Sequence, residues 1–572
     1  MNTLSSLKKL LFEYNIDGYL VPKNDEFFSE YAFPDRLKNI SNFSGSAGLA
    51  IILKDKNYLF VDGRYTIQAY KESGKNFKIY DVSKNPISKV TNSFKTNARI
   101  GYDPKLFTRK FLLKNISRKI NILPINKNLI DENILKKSSI FKNSKNFYYL
   151  SKKITGESSL TKINTLVNIL KKNKIDNIFI SAPENIAWLL NIRGKDNPYT
   201  PIPNCKIIVT KKKNIYFFAE DYKTLDLRRN KSFKFIKFFN NKYFYHILEN
   251  IKGKNCSIDE NSCSIFYEDL ISSRLKVIKI NDPCYNLKSI KNNTEINNSI
   301  KAHKEDGIAL TKFLFWMKNS KINKNEISAE KMLEKFRKKN KNYLYPSFST
   351  ISGTGSNGAI IHYKATKKTN QKITKNDIYL CDSGGQYNYG TTDVTRTICF
   401  NTPKKIIKDI FTRVLKGHIA VVTSNLSTRT TGQQLDKKAR FWLNKIKLDY
   451  PHGTGHGVGF FLNVHEGPQA ISKNNRVVMK EGMILSNEPG YYKKNNFGIR
   501  IENLIYVKKE KNKKYFDNLT MAPIDKDLID KDILNKNEKK WINKYHEKVF
   551  NNLKKSMNKI EIRELKKACS AI

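Results

Sequence analysis

At 572 residues, with 39% hydrophobic and 12% aromatic content, the chain exceeds what one hydrophobic core organises, so two to four domains are expected. Its net charge of +53 is spread over the whole length with an excess of Asn, Ile, Tyr and Phe, residues of AT-rich codons, which fits compositional drift and argues against a specific nucleic-acid partner. No apolar run approaches the roughly 18 residues of a membrane span, and seven scattered cysteines without CxxC spacing exclude a disulfide or zinc framework and point to reduced thiols in a cytoplasmic protein.

The N-terminal "MNTLSSLKKLLFEYNIDGYL" has Leu/Lys periodicity without the h-region or cleavage site of a signal peptide, so it reads as an amphipathic helix leading into the strand "GYLV". "NFSGSAGLAIIL" (42–53) and "NYLFVDGRYTIQAYK" (57–71, strand, turn and helix) continue an α/β block that closes near 128–134. Residues 142–159 are polar and aperiodic and read as a linker. A second block opens with the helix "LTKINTLVNILKKNKI" and repeats the strand-then-turn logic in "DNIFISAPENIAWLLNIRG" and "CKIIVTKKKNIYFFAED", which hints at a duplicated fold ending at Pro283. The expected domains are 1–150, 156–284, 285–510 and a helical extension at 511–572. Trp188 reads as core, "HKEDG" around His303 as a solvated face of a long helix, and His246, His418 and His546 belong to no cluster. The Lys-rich tail carries no legible chemistry.

The chemistry lies in the third segment. In "PHGTGHGVGFFLNVHEGP" (451–468), His452 and His456 stand four apart, as a zinc pair on a helix would. Gly453, Gly455, Gly457 and Gly459 forbid that helix, because each glycine costs it about 1 kcal/mol relative to alanine. The segment is therefore extended, and its alternating glycines let another backbone come close.

Two hairpins supply what His456 faces. In "NDIYLCDSGGQYNYGTTDVTRTICF" (376–400), Thr391, Asp393, Thr395 and Thr397 share a strand face. A turn centred on Tyr387–Asn388 sets Asp382 opposite Asp393, with Cβ atoms roughly 5 Å apart. In "SNEPGYYKKNNFGIRIENLIYV" (486–507), Glu488 and Glu502 are symmetric about Asn495, and Arg500 shares the face of Glu502 as an ion-pair partner or a ligand for substrate. Carboxylates held this close repel one another unless cations separate them. Four carboxylates and one imidazole suit two hard divalent ions, Mn²⁺, Mg²⁺ or Co²⁺, better than one zinc, and their charge of −4 balances two such ions. A pair of that kind activates water for hydrolysis.

In this order, "DSGGQYNYGTTDVTRT", "HGTGHGVG", "VHEGP", "EPGYY" and "GIRIEN" resemble the motifs of the pita-bread metallopeptidases, and within them the three-domain, cytosolic-type Xaa-Pro aminopeptidases (aminopeptidase P). "FSGSAG", "VDGRYTIQA", "IAWLLNIRG" and "NGAIIHY" extend the resemblance over nearly the whole chain; Cys381, Ser356 and Asn487 depart from the pattern without removing a ligand. The resemblance implies an α/β (α+β) protein with two creatinase-like N-terminal domains before a pita-bread catalytic domain. It implies that Asp382 binds one metal, that His456 and Glu488 bind the other, and that Asp393 and Glu502 bridge them. Glu488 would also shuttle a proton. His362 and His465 resemble the histidines that hold the scissile carbonyl and the transition state, and His452 the one on the prolyl side; Arg64, His456 and Arg500 complete the substrate surface.

The implied activity is hydrolysis between an N-terminal residue and a penultimate proline, with two Mn²⁺ per subunit, Mg²⁺ or Co²⁺ as substitutes, in a cytoplasmic homodimer that binds no membrane. One competitor is a prolidase, which cuts Xaa-Pro dipeptides alone. The other is a non-catalytic relative, which typically loses metal ligands, whereas all five are kept here. Cys381, beside the first metal Asp, is expected to make the enzyme sensitive to thiol oxidation.

Overall fold

The computed structural model of the chain describes residues 3–131, 145–320, 323–426 and 429–572. They form two compact units, Met1–Lys152 with Glu157–Tyr285 and Lys153–Gly156 with Asn286–Ile572. No described helix is long and apolar enough to cross a membrane.

The first unit holds two six-stranded sheets of the same design. One runs in the order Lys78–Asp81, Asn57–Val61, Leu49–Leu53, Gly18–Pro22, Arg99–Tyr102, Asn121–Pro124. The other runs Ile236–Phe239, Ile215–Phe218, Lys206–Thr210, Asn177–Ile180, Asn255–Ile258, Lys276–Lys279. In both, the third strand is antiparallel to its two neighbours and every other pairing is parallel. The duplication hinted at by element order is therefore a duplication of topology.

The central strands are apolar throughout because both faces are covered; Ala50, Ile51 and Ile52 are all fully buried. The helix Thr3–Glu13 buries Leu7 and Leu11, one stripe four residues apart. Residues 145–159, within the expected linker, are not a bare linker. Tyr148–Tyr149 pairs with Ile192–Arg193, and Lys152–Thr155 is a short helix. Residues 142–144 of that stretch, and 132–134 at the close of the first block, lie outside the described residues.

In the second unit a pair of helices precedes a carboxylate-bearing hairpin twice. Asn293–Asn319 and Glu326–Arg337 precede the hairpin of Ile378–Ser383 and Val394–Cys399; Lys405–Val422 and Gly432–Asn444 precede that of Ile484–Asn487 and Asn503–Glu510. The first helix begins with a reciprocal cap, Asn292 Oδ1 accepting from Glu295 N and Glu295 Oε2 from Asn292 N, both at 3.0 Å.

The segment around His303 corrects the expectation of a solvated face. His303 and Asp306 are buried, and Asp306 accepts a bidentate pair from Arg337 (2.8 and 3.1 Å) and the Tyr387 hydroxyl (2.8 Å). The polar run faces inward because its partners come from distant parts of the chain.

Candidate metal centre

The two hairpins bring four of the five expected ligands, Asp382, Asp393, Glu488 and Glu502, toward His456 on a separate strand. In the first, Asp382 pairs with Thr395 and Ser383 with Val394, and Tyr387 pairs with Gly390. The turn thus lies at Asn388–Tyr389, one residue later than expected, and Asp382 is diagonal to Asp393 rather than opposite it. The slip is two residues in register, so both carboxylates keep the same face; a slip of one would have sent one into the core. In the second hairpin Gly490 pairs with Arg500 and Asn487 with Asn503, both symmetric about Asn495 as expected. Asn495 itself adopts the left-handed φ of 57° that a tight turn needs.

One donor atom each from Asp393, His456 and Glu502 falls within 4.8 Å of the others. His456 Nε2 stands 3.5 Å from Asp393 Oδ2 and 3.4 Å from Glu488 Oε1. Its Nδ1 is 2.9 Å from the Gly457 carbonyl, a contact that only a protonated Nδ1 satisfies, and this hydrogen bond turns Nε2 toward the carboxylates. Gly455–Gly457 is a short strand, and a Cβ on Gly455 would sit 1.9 Å from the Ser486 carbonyl. The glycine is what lets the imidazole strand lie against the strand leading to Glu488, whose backbone N–H donates to Thr454 O at 2.7 Å.

Arg500 is buried and ties the centre together. Its Nη2 donates to Asp382 Oδ2 at 2.6 Å, its Nε to Thr395 Oγ1 at 3.1 Å, and its Nη1 to Tyr492 Oη at 2.6 Å. Tyr492 Oη is in turn 2.9 Å from His452 Nε2. Thr395 donates to Glu502 Oε2 at 2.8 Å, and Ser486 to Glu488 Oε1 at 3.1 Å. His465 packs edge-on against His456 with ring centroids 4.4 Å apart. His362 is half-buried beside Ile361, whose carbonyl accepts from Arg500 Nη2 at 3.5 Å. Arg64 belongs to the first unit, where its guanidinium is bidentate on Asp62 at 2.9 and 2.8 Å.

The electrostatics are those of crowded, buried acids. Burial, and then the charges of Asp382 and Glu488, hold the Asp393 carboxyl well above the usual range. Burial and then Asp393 do the same to Glu502, and burial raises Glu488 against the pull of His456 and Arg500. Burial opposes the Arg500 charge, yet Tyr492, Asp382 and Glu488 outweigh it and keep the guanidinium protonated.

A family model of metallopeptidase family M24 matches residues 298–509, and two models of the creatinase/prolidase N-terminal domain match 4–130 and 138–295. A model of the C-terminal region of peptidase M24 matches 514–572. The chain is 38% identical to the probable Xaa-Pro aminopeptidase P of Laccaria bicolor, over 95% of this chain and 89% of that one. It is 37% identical to Xaa-Pro aminopeptidase 1 of Dictyostelium discoideum, over 98% and 95%. The solved X-prolyl aminopeptidase of Caenorhabditis elegans, described as a cytosolic enzyme with a di-nuclear active site, superposes with a TM-score of 0.94 over 100% of this chain and 99% of that one, at 28% identity. This chain belongs to the Xaa-Pro aminopeptidases of metallopeptidase family M24. The prolidase of Pyrococcus furiosus, by contrast, covers only 62% of the chain, with a TM-score of 0.52 and 26% identity.

The donor set fits the di-nuclear centre of an M24 peptidase. Asp382 Oδ1 is buried without a hydrogen-bond partner among the described residues, an orphan acceptor of the kind a cation satisfies. Oxygen donors with a single imidazole suit hard divalent ions.

Cys381 corrects the expectation of an oxidation-sensitive thiol. Strand alternation turns it away from Asp382 into a core with Leu310, Phe313 and Tyr379, where it is 1% exposed. Burial pushes its pKa up to about 12, so it presents no thiolate to an oxidant. Exposure to millimolar peroxide is therefore expected to leave activity and free-thiol content at Cys381 unchanged; loss of activity together with oxidation mapped to Cys381 would refute this.

Reading the sequence missed Tyr492, Thr395 and Ser486. Tyr492 stood inside the quoted "EPGYY", and Thr395 on the face already noted with Asp393, but their partners lie on other elements of the sheet.

Proposed function

We propose that this chain is a cytosolic, Mn²⁺-dependent aminopeptidase that removes the N-terminal residue from peptides with proline second. The convergence of Asp382, Asp393, His456, Glu488 and Glu502 around one cluster carries the reading. In it Asp382 would hold one ion, His456 and Glu488 would hold the other, and Asp393 and Glu502 would serve both. Two divalent ions, when bound, supply electrophilic pull on the Xaa carbonyl and acidify water.

The remaining steps fall to the protein. Glu488, held by Ser486, takes the proton of the attacking water at Oε1 and passes it to the prolyl nitrogen. That transfer matters because a prolyl amide has no N–H and a fixed φ, and its nitrogen must be protonated to leave. His362 and His465 donate to the developing oxyanion, and His452, steadied by Tyr492, lines the prolyl side. Arg500 holds the Asp382 carboxylate in orientation.

Segment limits of 1–150, 156–284, 285–510 and 511–572, and a homodimer, belong to the same reading. The dimer is checked by light scattering of the purified protein. Near full-length coverage by aminopeptidases, against 62% for the prolidase, supports the longer substrate.

Assaying Ala-Pro-Gly against Ala-Pro, with the protein stripped by chelator and reloaded with Mn²⁺, tests the proposal. Turnover of the tripeptide, lost on stripping and regained on reloading, is expected. Cleavage of the dipeptide alone would make the protein a prolidase, and cleavage of neither would refute catalysis.

A further inference from the structure

Among the contacts that join the C-terminal extension to the strands of the metal centre, those of Arg396 reach both carboxylate hairpins at once. Arg396 is 1% exposed, on the strand Val394–Cys399 that follows Asp393. Its Nε donates to Pro523 O (3.0 Å), its Nη1 to Thr395 O (2.9 Å) and Glu502 O (2.6 Å). Its Nη2 donates to Asn503 Oδ1 (2.9 Å), Ala522 O (2.7 Å) and Tyr545 Oη (2.9 Å). None of these six acceptors is a carboxylate. A buried cation without an anionic partner is costly to keep. Its return here is geometric: one rigid fork joins the first hairpin, the main chain of Glu502 in the second, and the segment 522–523.

Tyr545 closes that fork. It sits on the helix Lys536–Leu553, is buried, stacks on Trp541 with ring centroids 5.4 Å apart, and donates its hydroxyl proton to Ala522 O at 2.8 Å. The neighbouring His546 accepts from Ile524 N at 3.1 Å through Nε2. The helix is held independently at its start, where Glu538 pairs with Lys416 at 2.6 Å. Two contacts of one helix thus differ in kind: Glu538 fastens the helix to Lys405–Val422, whereas Tyr545 accepts from Arg396, which in turn donates to the Glu502 carbonyl.

We propose that the C-terminal helix sets the position of Glu502 through Tyr545 and Arg396, so that the extension governs how tightly the metal centre holds its ions. Both are positioning residues, acting on the cluster through the Glu502 main chain. The inference rests on Glu502 being a metal ligand, as in the functional reading above.

The test compares full-length Mn²⁺-loaded wild type with Tyr545→Phe, Arg396→Lys and, as a control on the same helix, Glu538→Gln. The readouts are the rate of Mn²⁺ release to excess chelator, the Mn²⁺ electron paramagnetic resonance spectrum, the thermal midpoint, and kcat and KM separately. Tyr545→Phe is expected to release Mn²⁺ about tenfold faster, in the range known for outer partners of metal ligands. Its spectrum should change and its kcat should fall at unchanged KM. Glu538→Gln is expected to lower the midpoint without speeding release. Arg396→Lys should exceed Tyr545→Phe; if it fails to fold, the Tyr545→Phe arm decides. Wild-type release rates in Tyr545→Phe, or release that follows the midpoint alike in Tyr545→Phe and Glu538→Gln, would overturn the inference while leaving the catalytic reading intact. A wild type that holds no Mn²⁺ and cleaves nothing would overturn both.

Discussion

Asp393→Asn is expected to remove nearly all turnover while leaving the metal-free protein at least as stable as before. Asp393 is 4% exposed and shares its space with Asp382, Glu488 and Glu502. Without cations, four carboxyl groups in so small a buried volume work against folding, by desolvation first and mutual repulsion second. Asparagine keeps the shape and removes one charge, so the repulsion falls. With cations the same change deletes the shared ligand of the proposed reading, and the loss of kcat/KM should exceed the ~100-fold that marks the upper range for outer partners of a metal ligand. Thermal melts of stripped and Mn²⁺-reloaded samples, beside peptide turnover, check both halves. The wild type should gain stability on reloading, and the variant should gain less. A variant whose stripped form melts well below the stripped wild type would mean that Asp393 is a structural acid, and the metal-ligand assignment would fail.

The placement of the four acids was legible because hairpins encode it locally. Strand alternation fixes which residues share a face, and symmetry about a turn fixes which strands meet. The second hairpin followed its symmetry about Asn495, where the positive φ of an asparagine marks the turn. The first was misregistered by two because "QYNYG" offers turn residues at more than one position, and an even slip leaves the faces unchanged. Glycine spacing around His456 was equally local, and the structure accounts for it by the Ser486 carbonyl lying where a Cβ would be. The duplicated topology of the first unit also showed through, since each copy spells the same succession of apolar strands.

What stayed hidden depends on partners far away in the chain. Asp306 looks like one charge in a polar helix run until Arg337 and Tyr387 are folded against it. Arg396 sits in the quoted "DVTRT", but nothing local says that its six acceptors lie up to 149 residues away. The lysine-rich extension carries no legible chemistry beyond the weak resemblance of "MAPID" and "WINKYH" to the family's tail, yet Tyr545 and His546 both bind the segment 522–524. Long-range burial decides the meaning of a charged residue, and a single sequence without its pairings does not reveal it.

Glu466→Gln is expected to be the most destabilising single change away from the metal cluster. Glu466 follows His465 in "VHEGP", and its side chain is 1% exposed between two lysines that are themselves 2% and 1% exposed. Lys288 Nζ lies 3.0 Å from Oε2, and Lys291 Nζ bonds Oε1. Burial opposes the carboxylate, but the two ammonium groups outweigh it and hold its pKa below the usual 4.5. Glutamine keeps the volume and one acceptor but strands two buried cations beside each other, which should cost about 3–5 kcal/mol at neutral pH. The sign of the pH dependence follows. A carboxylate depressed in the folded state stabilises it above the unfolded pKa, and that contribution is lost as pH falls through the folded value. The wild type should therefore converge on the variant only below the usual 4.5, and the gap between them should be constant from there to neutrality. Since Glu466 pairs with Gly457 across the sheet, next to His456, the variant should also lose activity in proportion to the displacement of His465. Urea unfolding of both proteins across this pH range measures the gap, and the double change Glu466→Gln with Lys291→Met should recover part of it by removing one stranded charge. A gap under about 1 kcal/mol, the ordinary value of an exposed ion pair, would mean that solvent reaches the lysines and that the triad is not a buried one.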